Sequence, residues 1–222
     1  MPYVGNDVVD LKEPANAGKS RDSRFLKKIL TNAEIEFVQN AGNSDAALWS
    51  HWACKETAYK VVKKSFSDVA FLPRQWPVTF RMTKSKYSDG EVTIPGKGKI
   101  YIRLFSNSQY VHCIGADVLT ALDKLIWSVE ALPEEEGINP SLFLRHSVGQ
   151  NLAQYFSLNF HQIRIKRTRE NGELQPPRVY VGNRKTDIDI SLSHDGRFIA
   201  YVATLAESER REVCPCHLKV AG

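Results

Sequence analysis

The chain lacks a long apolar run. Among its 222 residues, no stretch approaches the ~18 consecutive apolar residues of a membrane-spanning helix, so no membrane partner is expected. The opening MPYVGNDVVDL has no basic segment followed by an apolar core, the pattern of a secretory signal. The expectation is a cytoplasmic protein. Cysteine is scarce, with four residues. Cys54 lies in a helical stretch and Cys113 in an apolar strand-like run, and both read as small buried thiols. Cys214, Cys216 and His217 form CPCH, which lacks the fourth ligand and the two-residue spacer of a zinc site. Residues 207–222 therefore read as a tail. Zinc-finger spacing and a long basic helix are also missing. The basic run RIKRTRENG carries no interleaved aromatic residue, which argues against a nucleic-acid partner.

What is present describes a soluble globular chain, 42% hydrophobic and 25% charged. It is long enough for one large domain or two small ones. The net charge of +5 suits an acidic partner or a phosphorylated ligand. Residues 3–11 begin as a strand. Residues 23–40 are helical with a break at Thr31-Asn32, where Thr31 and Glu34 have capping-box spacing. Residues 46–64 form a further helix. Residues 78–120 alternate polar and apolar, with turns at Ser88-Asp89-Gly90 and Pro95-Gly96, and predict antiparallel strands. ALPEEEGINP at 131–140 reads as a linker or loop before a helix at 140–156. Strands are expected at 161–167, 178–181 and 187–204. The stretch LFSNSQYVHCIGA, residues 104–116, lies over LSHDGRFIAYVAT, residues 192–204, without a gap. Such a repeat points to two related lobes.

Three short stretches carry the candidate chemistry. VGNDVVDL holds Asp7. WACKETAYK sets Trp52, Glu56 and Lys60 along one helix face. SLSHDG places His194 at a turn before a strand. Each alone has a plain structural reading. Asp7 can be a turn former, His194 a hairpin residue, Arg167 part of a solvated strand face, and WACKETAYK a surface helix held by its Glu-to-Lys pair.

Taken together, Gly5-Asn6-Asp7, Trp52 through Lys60 and Ser191-Leu192-Ser193-His194 resemble the G-x-D, W-x-x-K-E-x-x-x-K and S-x-S-H motifs of the 4′-phosphopantetheinyl transferases. RFLKKILTNAEIEFV fits the same family. The resemblance implies an α+β fold of two pseudo-symmetric lobes, each an antiparallel sheet packed with helices. Residues 1–125 would form the lobe with the metal-binding Asp, and 126–206 the second. In the two-lobe, surfactin-type members the S-x-S-H lobe comes first. Here it comes second, so the resemblance implies permuted lobes.

The implied activity is transfer of phosphopantetheine from coenzyme A to a serine of an apo acyl or peptidyl carrier protein, with release of 3′,5′-ADP. The alternative is a non-catalytic coenzyme A or carrier-protein binder of the same fold. The implied cofactor is Mg²⁺, with Mn²⁺ not distinguished from it, held by Asp7 and Glu56. Val9 stands where surfactin-type members have a third acid. Glu56 and Lys60 are the implied catalytic residues. Arg145, Arg167, Ser193, His194 and Lys60 are the implied coenzyme A contacts, with a monomer as the implied state. The family's G-K-P turn is replaced by GELQPP around Gly172 and Pro176.

Overall fold

A computed structural model of the chain describes residues 1–83, 86–170 and 172–204; the CPCH group lies outside the described residues. Strand β1 (Val4–Asp10) leads into helices α1 (Ser23–Ile29), α2 (Asn32–Asn40) and α3 (Ser44–Ser65). Strands β2 (Val78–Thr83), β3 (Ser88–Ile94), β4 (Gly98–Ser106) and β5 (Tyr110–Ala116) follow. The second half runs β6 (Ile126–Ala131), α4 (Pro140–Tyr155), β7 (Ile163–Lys166), a small hairpin β8 (Arg169–Glu170) and β9 (Glu173–Leu174), then β10 (Arg178–Val181), β11 (Arg184–Asp195) and β12 (Phe198–Ala203).

The strands form two five-stranded antiparallel sheets, ordered β1-β5-β4-β3-β2 and β6-β12-β11-β10-β7. The two orders match place for place, and a helix follows the first strand of each. The gapless repeat falls on the hairpins β4–β5 and β11–β12 in one register. Ser106 opposes Val111 as His194 opposes Ile199. Asp10 opposes Tyr110 as Ala131 opposes Phe198. Asp7 therefore corresponds to Ser128, and Val9 to Glu130. The expected α+β fold of two antiparallel sheets packed with helices is the observed one.

The sheets face each other. Val4, Val8, Ile114 and Ala116 of the first sheet pack with Trp127, Val129, Phe198, Ala200 and Val202 of the second. Helix α3 covers the far side of the first sheet with Ala53, Cys54, Ala58 and Val61, and α4 covers that of the second with Leu144, Val148 and Leu152. Cys54 and Cys113 are buried free thiols, as expected.

Strand β1 is an edge of its sheet, so alternate N–H groups have no strand partner on one side. They find side chains of β11 instead. Val4 N–H donates to Asp189 Oδ2 at 2.7 Å, Asn6 N–H to Ser191 Oγ at 3.1 Å, Val8 N–H to Ser193 Oγ at 3.2 Å and Asp10 N–H to Asp195 Oδ2 at 2.8 Å. A second tie is Asp10, whose carboxylate accepts from the backbone N–H, Nε and Nη2 of Arg197. Burial pushes this carboxyl up, but the Arg197 bonds outweigh it and hold it at about 2.

The capping box at Thr31 forms as its spacing predicts, and Glu34 does more than cap. Its Oε2 accepts from the fully buried Lys55 Nζ at 2.6 Å, and its Oε1 from Val78 N–H at 2.9 Å. Lys55 also donates to the carbonyls of Ile29 and Pro73. A buried ammonium needs such full satisfaction, so the first lysine of WACKETAYK is structural.

Two local expectations are corrected. Ser88-Asp89-Gly90 is the start of β3, not a turn. A Cβ at Gly90 would stand 2.6 Å from the Thr79 carbonyl oxygen, so this glycine serves close strand approach. His194 is the penultimate residue of β11, and the turn itself follows it at Gly196, whose φ is 48°.

His112 lies on the inner face of β5, fully buried, and neither ring nitrogen has a hydrogen-bond partner. Burial first, and the Lys60 charge second, push its pKa from 6.5 down to about 3. The unfolded chain takes up a proton near pH 6.5 that the native state refuses. Stability is therefore lost as pH falls below that value. We expect His112→Leu to gain on wild type as pH drops, by about 2 kcal/mol between pH 7 and pH 5. Urea unfolding at both values checks this; a pH-independent difference contradicts it.

Candidate functional site

A glycine pair sets the site. Gly5 on β1 opposes Gly115 on β5. A Cβ at Gly5 would fall 2.3 Å from the Thr57 carbonyl oxygen, and one at Gly115 would fall 2.8 Å from Thr57 Cγ2. Only glycines let α3 lie this close to the sheet. That approach brings Lys60 onto β1, where its Nζ donates to the Asn6 carbonyl and to Asp7 Oδ1, both at 2.8 Å.

Asp7 Oδ1 also accepts from Ser193 Oγ at 2.9 Å. Ser193 thus ties Asp7 across the lobe boundary while accepting from Val8 N–H. Expected as a coenzyme A contact, Ser193 faces β1 and does not line the pocket described below. Glu56 sits one helical turn before Lys60. Burial, then the Asp7 charge, raise its carboxyl against the opposing pull of Lys60, to about 7. The two acids therefore feel each other. Among the described residues no group of three or more His, Cys, Asp and Glu side chains is gathered as a metal site.

Beside this junction, between the C-terminal half of α3, the N-terminal turns of α4 and β11, opens a cavity of about 400 Å³. Lys60, Arg145, Arg167 and His194 all line it. Four residues from separate stretches of the chain thus converge. Asp7 and Glu56 are not in the cavity wall; Asp7 is joined to it through the Lys60 Nζ bond. Arg145 is held by the Ser141 carbonyl and hydroxyl, and Arg167 Nε donates to the Gln175 carbonyl. Burial, then the nearby Arg145 charge, lower the Arg167 pKa. Two guanidinium groups facing one cavity and repelling each other make a receptor for a multiply charged anion.

Tyr59 and Lys63, close to the Trp52–Glu56–Lys60 face but given no site role by the motifs, also line this cavity, as does Glu173, which the sequence did not single out. Lys63 reaches Glu173 at 3.7 Å, from α3 to the β8–β9 hairpin. Its spacing of seven from Glu56 placed it near the motif face, which was the available signal. Lys64 lines the cavity too, but its Nζ is bound to Asp189 and to the carbonyls of Val4 and Ile190.

Comparison with known proteins fits this geometry. The 4′-phosphopantetheinyl transferase superfamily matches residues 3–117, more than half of the chain. The chain belongs to that superfamily. The match begins just before β1 and ends just after β5, so it takes in Asp7, Glu56 and Lys60. A holo-[acyl-carrier-protein] synthase of Leptospira biflexa serovar Patoc is 30% identical over 70 residues, 32% of this chain and 55% of that protein. The same enzyme from a second Patoc strain lineage matches equally. The chain thus spans about half the length of these relatives. Among the described residues no helix is long and apolar enough to cross a membrane.

In this superfamily member the glycine of G-x-D has a steric duty. We expect Gly5→Ala to push α3 off β1 and part Lys60 from Asp7. The variant should lose about 3 kcal/mol or more, as overpacking against backbone does, measured by denaturant unfolding. Wild-type stability would contradict the close approach.

Proposed function

We propose that the protein transfers the 4′-phosphopantetheine group of coenzyme A to a serine of an apo acyl or peptidyl carrier protein, releasing 3′,5′-ADP. One observation carries the reading: a cavity walled by Lys60, Arg145, Arg167 and His194 abuts the Asp7–Lys60 pair and Glu56. A coenzyme A phosphate cluster matches that charge. The reading treats residues 1–125 and 126–206 as two lobes in permuted order relative to surfactin-type members. It takes the protein as a cytoplasmic monomer.

Arg145 and Arg167 bind phosphate oxygens bidentately. His194 donates to a phosphate oxygen from the second lobe. Lys60 balances charge that develops on the leaving group. Ser193 orients Asp7. Asp7 and Glu56 are the residues that would hold Mg²⁺, and the donor set fits: two neighbouring carboxylates, one raised to about 7 by burial and by the other's charge, are relieved by a divalent cation. Bound there, Mg²⁺ supplies neutralisation of the pyrophosphate. Glu56 is also the group that takes the acceptor hydroxyl's proton, directly or through water. Its ligand role opposes this, because a cation lowers carboxyl basicity.

The test incubates the protein with coenzyme A, Mg²⁺ and several apo carrier proteins, and follows the acceptor's mass. Gain of one phosphopantetheine is expected; no gain on any carrier rejects transfer. Glu56→Gln should abolish transfer with the fold intact by circular dichroism, and a near wild-type rate overturns the site. Arg145→Ala and Arg167→Ala should each weaken coenzyme A binding by about 1–3 kcal/mol. Calorimetry showing unchanged affinity in both removes them from the site.

A further inference from the structure

The matching strand orders and registers pair the β1 site with a second cluster. Val9, where a third acid is missing, corresponds to Glu130, and Asp7 corresponds to Ser128. On β6 both side chains turn towards α4. Glu130 Oε2 accepts from Ser147 Oγ at 2.7 Å. Its Oε1 accepts from Ser128 Oγ at 3.1 Å and from Asn151 Nδ2 at 3.3 Å. Asn151 also meets Tyr201, whose pKa burial pushes up to about 12. Where the first lobe sets charges that demand a partner, the second has one carboxylate satisfied by neutral donors. Such a cluster binds nothing further; it fixes a helix.

Helix α4 has two flanks on its sheet. Leu144, Val148 and Leu152 form its buried centre. Ser147 and Asn151 lie on the flank above β6. Arg145 leaves from the opposite flank, by 100° per residue, into the cavity beside β11. An apolar stripe alone tolerates rotation of a helix about its axis, because burial is non-directional. Three charge-assisted hydrogen bonds to one carboxylate are directional.

We propose that Glu130 is a positioning residue: by fixing the rotation of α4 through Ser147 and Asn151, it aims the Arg145 guanidinium into the phosphate cavity. The inference rests on the proposed coenzyme A site. It gives the second lobe a task in catalysis besides His194, performed by a group that never meets substrate.

The experiment measures coenzyme A and 3′,5′-ADP binding by calorimetry, and KM and kcat for coenzyme A, in wild type, Glu130→Ala, Glu130→Gln, Arg145→Ala and the Glu130→Ala/Arg145→Ala double variant. Glu130→Ala should raise KM and weaken both ligands about tenfold, with kcat within twofold. Glu130→Gln should recover much of this, since its amide oxygen still accepts from Ser147. The double variant should bind no worse than Arg145→Ala alone, because both act through one guanidinium. Additive losses, or an unchanged KM in Glu130→Ala, overturn the inference while leaving the site standing. Wild type that binds neither ligand overturns the site, and the inference with it. Should Glu130→Ala fail to fold, Ser147→Ala replaces it with the same expected outcomes at smaller amplitude.

Discussion

The row of hydrogen bonds from β1 to the side chains of β11 is the joint on which the rest depends. An edge strand offers every second N–H outward, at a spacing set by the pleat. A neighbouring strand normally answers with carbonyls. Here Asp189, Ser191, Ser193 and Asp195 answer with side-chain oxygens at the same period of two. Each bond contributes on the order of 1 kcal/mol, and their alignment fixes the lobes in one register. A slip of one residue would present Ile190, Leu192 and His194 to β1 and leave its N–H groups bare. The serines of S-x-S-H thus have a structural reason. The registered Ser193 reaches Asp7, while His194, on the opposite face of the strand, turns to the cavity.

The symmetry related to this joint is broken by the side chains at equivalent positions. The positions corresponding to Asp189, Ser191 and Ser193 are Tyr101, Arg103 and Phe105. Phe105 stacks near Trp127 with ring centroids 4.4 Å apart, and Arg103 is tied to Asp89 and Asp123. Aromatic packing seals that contact. Serine and carboxylate on the other side keep polar groups beside a cationic hollow. Two copies of one supersecondary plan therefore separate into a closed face and an open one through side-chain substitution, with the backbone register kept.

Much of this was legible from sequence because its signals are local. The Thr31–Glu34 spacing, the 3.6 period of α3 and the gapless overlay of 104–116 on 192–204 each state a short-range geometry. What escaped depends on distant partners. Strand β6 went unread because its inner side chains, Trp127 and Val129, and its outer ones, Ser128 and Glu130, are all half-buried, so polarity there reports a hydrogen-bonded network and not solvent. Gly90 looked like a turn because a glycine demanded by a neighbouring backbone has the same letter as one demanded by a positive φ. The pairing of Asp10 with Arg197 spans almost the whole chain, and no local pattern encodes it.

The same limit explains the two lysines of WACKETAYK. Lys55 and Lys60 belong to one residue type on one helix, yet they do opposite work. Five residues turn the helix by about 140° beyond a full revolution. That rotation sends Lys55 inward, where Glu34 and two carbonyls consume all three of its donors. It sends Lys60 to the lobe boundary, where two acceptors hold it beside an open cavity. An ammonium with every proton engaged in the core is locked. One with a proton to spare, partly exposed at 27%, keeps a donor for the cavity. Glu56, standing between them in the chain, shares the outlook of Lys60 and not of Lys55, and the helix period alone assigns it there.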